Sequence, residues 1–92
     1  MPASQLDFLD DATWNAEREA VEVTAVVPDS ARPRHVRCVI ATEALAALTR
    51  APGELPALRL FRDFEPTLAR AAARRYDPRA GEIVLGRRDV RT

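Results

Sequence analysis

Two stretches in which apolar and polar residues alternate, joined by a loop with a proline at each end, restrict this chain more than any other feature. Between Ala20 and Val27, Val21, Val23 and Ala25 fall on one side of an extended backbone, with Glu22 and Thr24 on the other. Between Arg34 and Ala41, Val36, Cys38 and Ile40 share one side, with Arg37 and Val39 opposite. Side chains alternate across a strand, so each run describes one buried and one solvated face. The intervening Pro28-Asp29-Ser30-Ala31-Arg32-Pro33 reads as a loop by its prolines and its Asp-Ser pair. An antiparallel hairpin follows, and its apolar face needs a second layer to cover it.

The segment from Pro56 to Tyr76 supplies that layer. Ala57, Leu60, Phe61, Phe64, Leu68, Ala71 and Ala72 lie within an arc of about 120° at helical spacing. Pro66 stands inside this stripe. It removes a hydrogen bond and crowds the carbonyl four residues back, which predicts a kink or two abutting helices near Arg62 to Glu65. A shorter helix is expected to start at Thr42, whose hydroxyl suits an N-cap, with Glu43 in its first turn. Ala44, Leu45, Ala47 and Leu48 form its apolar side, and Ala51-Pro52-Gly53 ends it.

Leu6 to Leu9 reads as a first strand, Asp10-Asp11 as a turn, Asp77 to Gly81 as another turn, and Glu82 to Leu85 as a last strand. Trp14 lies in a polar stretch too short for a helix and suits a lid over the sheet edge or an interface anchor. The order β-β-β-α-α-β implies an α+β, two-layer domain: a small, mainly antiparallel sheet with two helices on one face. At 92 residues the chain fits one domain, with ragged tails expected over 1–4 and 87–92. Such a chain buries roughly 60–65% of its unfolded surface, enough for one core and not for a deep cavity as well. Phe61 is expected at the centre of that core.

Hydrophobic residues at 47% and charged residues at 30% place the chain among globular rather than disordered sequences. No apolar run approaches a membrane span, and Met1 to Gln5 carry no export signal. One cysteine allows no internal disulfide, so the expected setting is the reducing cytoplasm.

Chemistry is harder to find. The single histidine, His35, has no partner fixed by spacing and reads as a loop-edge residue. Cys38 shares the inward side with Val36 and Ile40 and reads as an inert core thiol. One Cys and one His do not make a structural zinc site. Asp7, Asp10 and Asp11 lack calcium-loop spacing, and Gly53, Gly81 and Gly86 form no phosphate cradle. No metal, cofactor or catalytic residue is therefore assigned, and the expectation is a non-enzyme.

All 14 basic residues are arginine, a bias that a GC-rich genome produces by itself. Residues 1–31 hold seven acids and one arginine, −6, and residues 32–92 hold seven acids and thirteen arginines, +6. The asymmetry suits an anionic partner or compensation within or between chains. On a continuous main helix, Arg59, Arg62, Arg70 and Arg74 would share a second arc of about 120° opposite the apolar stripe. The candidate site is this arginine face, as an anion- or partner-binding surface.

The run Val36-Arg37-Cys38-Val39-Ile40-Ala41-Thr42-Glu43-Ala44-Leu45 resembles the Val-x-Cys-x-Ile-Ser-x-Glu-Ala-Leu core of the bacterial family called domain of unknown function 1488. Phe61-Arg62, the stretch Pro66 to Tyr76, and Glu82-Ile83-Val84-Leu85 are similar to its second helix and closing strand. Ala41 stands where that family usually has serine, which leaves Thr42 as the expected cap. Glu65 stands where an arginine often precedes the proline. The resemblance implies a small bacterial α+β fold and brings no catalytic residues. The expected function is a non-catalytic binding or accessory module with a macromolecular partner, the homodimer being one candidate working form. The alternatives are a nucleic-acid-associated regulator that uses the arginine helix and, further off, an unrecognised enzyme.

Overall fold

A computed structural model describes residues 6–28, 32–50, 53 and 55–90. The expected hairpin forms its centre. Strand β3 (Ala20–Val27) pairs antiparallel with β4 (Arg34–Ala41) over eight residue pairs, from Ala20 opposite Ala41 to Val27 opposite Arg34. Two short strands, β1 (Asp7–Phe8) and β2 (Thr13–Asn15), both pair antiparallel with the far side of β3. Strand β5 (Glu82–Leu85) pairs with β4 and runs parallel to it, so the sheet is mixed.

This register aligns apolar side chains in rows. Val21, Ile40 and Leu85 stand side by side, as do Val23, Cys38 and Ile83, and all six are buried. Three helices cross over this face between β4 and β5: α1 (Thr42–Ala47), α2 (Ala57–Asp63) and α3 (Glu65–Arg75). Leu45 from α1, Leu60 and Phe61 from α2, and Leu68, Ala71 and Ala72 from α3 complete the core. The Phe61 ring meets Phe8 of β1 at 5.3 Å between centroids, with an interplanar angle of 55°, a tilted geometry that aromatic pairs favour.

The main helix divides at Phe64, whose φ of −114° and ψ of 20° leave the helical region. Pro66 then sits in the first turn of α3, where a missing N–H costs nothing because no carbonyl would have received it. Hydrogen bonding continues on either side, from Phe64 N–H to the Leu60 carbonyl at 3.0 Å and from Leu68 N–H to the Phe64 carbonyl at 2.9 Å. Of the two outcomes allowed by Pro66, abutting helices are the one realised.

Four expectations are corrected. Trp14 is not loop but the middle of β2, which only pairing with β3 creates. Thr42 does not cap α1: Ala41 occupies the N-cap position, and both the Thr42 amide and hydroxyl donate to the Glu19 carbonyl. Glu19 reaches that position with a left-handed φ of 49°, an uncommon conformation for a side-chain-bearing residue. Helix α1 stops at Ala47, before Ala51-Pro52-Gly53; Ala51 and Pro52 lie outside the described residues, as do tail residues 1–4, loop residues 29–31, and residues 91 and 92.

The tail expected from residue 87 is instead a fourth helix, α4 (Arg87–Val90), with Val90 buried. The Asp89 carboxylate accepts the Gly86 N–H at 2.8 Å while the Asp89 N–H donates to the Gly86 carbonyl at 3.1 Å. That is the reciprocal arrangement of a capping box, with the glycine contributing backbone alone.

Because Phe61 joins helix to edge strand, Phe61→Ala is expected to destabilise the fold by about 3–5 kcal/mol. Urea unfolding measures this; an unchanged midpoint would show that Phe61 is not in the core.

Candidate binding surfaces

The break at Phe64 divides the four arginines of the candidate site. Arg59 and Arg62 lie on α2; Arg70 and Arg74 lie on α3. Arg59 is engaged locally, with its Nε 3.2 Å from Asp63 Oδ1 one turn away. At helical spacing Arg70 and Arg74 project opposite Leu68, Ala71 and Ala72, and both are exposed. Neither these two nor Arg62 forms an ion pair among the described residues. Arg75 reaches Asp89 at 3.8 Å and ties α3 to α4, which carries the exposed Arg87 and Arg88. The structure thus places Arg70 and Arg74 one turn apart on α3, and Arg59 and Arg62 on the separate helix α2.

The sheet's other face carries a denser charge arrangement that spacing alone does not reveal. Glu22 of β3 accepts from Asn15 at 2.9 Å and pairs with Arg37 of β4 at 2.6 Å. Arg18, in the β2–β3 turn, lies 3.8 Å from Glu22 and 3.1 Å from Glu82 on β5. It therefore spans three strands. Val39 stands between Glu22 and Val84 in the register and is buried although it faces away from the helices. The Asn15 hydrogen bond, then Arg37, holds the Glu22 carboxyl below its usual range. Bonding to Glu82 raises the Arg18 guanidinium further.

At the sheet edge the chain bulges between β1 and β2. Leu9 N–H still donates to the Thr24 carbonyl at 2.9 Å. The Thr24 N–H, which a continuous strand would receive, donates instead to Asp11 Oδ1 at 2.9 Å, and the Thr24 hydroxyl donates to Asp11 Oδ2. A carboxylate thus stands in for the missing backbone carbonyl. On the helix side of this bulge is a hollow of about 250 Å³, lined by Phe8, Leu9, Asp10 and Ala12 of the edge and by Phe61, Arg62 and Glu65 at the α2–α3 break.

A family model described as a protein of unknown function, DUF1488, matches residues 6–85. The chain belongs to this family. A solved structure of a DUF1488 protein of unknown function from Shewanella loihica PV-4 is 23% identical, with 95% of this chain and 97% of that chain covered and a TM-score of 0.65. At that identity the likeness establishes a shared fold. No curated protein matches.

In this DUF1488 chain the remaining candidates take structural positions. Cys38 is fully buried in the core row, and burial pushes its thiol up to about 12. His35 is exposed near the start of β4. Trp14 is 44% exposed on the helix side of the edge, opposite Val21 in the register. Among the described residues no group of three His, Cys, Asp or Glu side chains is arranged to hold a metal ion, and no helix is long and apolar enough to cross a membrane.

Two measurements test these assignments. Hydrogen bonds from Thr24 hold the Asp11 carboxyl below its usual value of 3.8. Its stabilisation is therefore complete above that pH and is lost as the pH falls through the lower folded value. Asp11→Ala is expected to cost about 1 kcal/mol at neutral pH, reduced from a fully buried charged bond by solvent exposure. The gap to the parent protein, read from urea unfolding, should close in acid; a gap that persists unchanged at pH 2 would remove the carboxylate from that role. For Cys38, labelling by a thiol reagent at pH 8 should proceed only as fast as global unfolding. Rapid labelling of the folded protein would place the thiol at the surface.

Proposed function

We propose that this chain is a non-catalytic binding module that contacts an anionic macromolecule through the outer face of α3, in the cytoplasm of a bacterium. The observation that carries the proposal is a contrast between the two layers. On the open sheet face, Arg18, Arg37, Glu22 and Glu82 satisfy one another. On α3, Arg70 and Arg74 are exposed and form no ion pair among the described residues, although like charges one turn apart repel. An anion placed between them relieves that repulsion, and guanidinium groups pair bidentately with phosphate or carboxylate.

Nucleic acid is the partner class to test first, through its backbone: no large exposed apolar residue lies on α3 for base stacking. Binding of a short RNA or DNA duplex, followed by fluorescence anisotropy, should weaken steeply with salt at a slope near −0.9 for each phosphate contacted. Arg70→Glu with Arg74→Glu should abolish binding while leaving the thermal midpoint within a few degrees. Absence of binding at low salt to both duplexes and to polyglutamate would end the anion-binding reading.

A second reading, a homodimer, is favoured by β5. It pairs only with β4 among the described strands, and Val84 on it is 43% exposed. A free strand edge is a site for pairing with another chain. Light scattering should give twice the chain mass if β5 pairs across a two-fold axis, and a strict monomer would exclude that form.

A further inference from the structure

The edge strand and the helical layer each lose regularity once, and the two breaks face each other. Asp10 to Ala12 bulge away from β3, and α2 gives way to α3 at Phe64; the hollow lies between them. Bulges at sheet edges re-aim side chains and recur next to active sites. Asp10, Arg62 and Glu65 stand on the rim, all exposed, and no ion pair forms among them. Two carboxylates against one guanidinium leave the rim at −1 at neutral pH. The surrounding edge has the same sign: residues 6–19 hold five acids and one arginine, and that arginine is paired with Glu22 and Glu82 on the open sheet face. Phe8 is half-buried at the wall, and Leu9 beside it is 41% exposed.

We propose that this hollow is a docking notch for one arginine side chain presented by a partner protein. The aliphatic stem of an arginine would lie along Leu9 and Phe8, and its planar guanidinium would reach the Asp10 and Glu65 carboxylates. Arginine suits both demands, because its guanidinium stacks on aromatic rings and pairs with carboxylates in a fixed fork. The volume agrees: at about 250 Å³ the hollow falls below the roughly 300–1,000 Å³ of ordinary small-molecule pockets and matches one side chain. The proposal goes beyond the anion-binding reading of α3 and uses neither Arg70 nor Arg74.

The test is an amide NMR titration of the intact chain with N-acetyl-arginine amide, N-acetyl-leucine amide and N-acetyl-glutamate amide. Saturable shifts should appear at Leu9, Asp10, Ala12, Arg62 and Glu65, with millimolar affinity in the order arginine, leucine, glutamate. Asp10→Asn with Glu65→Gln should weaken arginine binding roughly fivefold, as loss of two exposed ion pairs implies. Arg62→Gln should tighten it by removing a like charge, an effect that a merely destabilised fold would not give. Arg70→Glu with Arg74→Glu should leave it unchanged, which separates this site from the α3 surface. Leucine amide binding as tightly as arginine amide, shifts that never saturate, or shifts spread evenly over the surface acids would each overturn the proposal.

Discussion

Everything in this fold follows from the pairing register of β3 and β4. Eight residue pairs place Val21 beside Ile40 and Val23 beside Cys38 on one side, and Glu22 beside Val39 and Thr24 beside Arg37 on the other. Because side chains alternate with a period of two, a slip of one residue would turn one strand's apolar set into water. Strand β5 then adds Ile83 and Leu85 to the same rows from the opposite edge of β4. The helices contribute no register of their own; they cover what the strands have aligned. Helix α2 abuts α3 at Phe64 because Pro66 tolerates only the first turn of a helix, while Leu60, Phe61 and Leu68 must still reach one surface.

The same register explains why the charged residues divide as they do. On the open face, Glu22 stands diagonally across the ladder from Arg37, two residues off register, and Arg18 reaches over β4 to Glu82. These pairs are solvent-exposed on at least one side, so each contributes modestly; together they link the turn, the hairpin and the edge strand. Among the described residues α3 has one ion pair, Arg75 with Asp89, and none at Arg70 or Arg74. At the far edge, Asp11 replaces a backbone carbonyl and thereby lets the chain leave the sheet without an unsatisfied donor at Thr24. That departure is what opens the hollow against the α2–α3 break.

Much of this was legible in the residues. The hairpin strands, the inward Cys38, the apolar stripe and the division at Pro66 are local patterns, and such patterns survive folding unchanged. What escaped has a common cause: it depends on residues far apart in the chain. Thr13-Trp14-Asn15 has no alternation and becomes a strand only because β3 offers an edge. Helix α4 has a single buried apolar residue, Val90, and follows directly on a glycine. Thr42 looks like a cap until Glu19, in a turn 23 residues earlier, supplies a carbonyl for its hydroxyl. The arginine face was read on one continuous helix, and the break at Phe64 divides its residues between α2 and α3. The hollow combines residues from positions 8 to 12 and 61 to 65. The acids of the first segment and Glu65 were its only trace.

The surfaces proposed here for a partner, on α3, along β5 and at the broken edge, all rest on the central pair of strands. Native-state hydrogen exchange tests that dependence most directly. The amides shared between β3 and β4, in particular those of Val21 to Ala25 and Val36 to Ile40, should exchange only through complete unfolding, with α2 and the β1–β2 edge opening at lower free energy. If β4 amides exchanged early while α2 and α3 stayed protected, the helices would be the stable unit and the strand register a consequence rather than the cause.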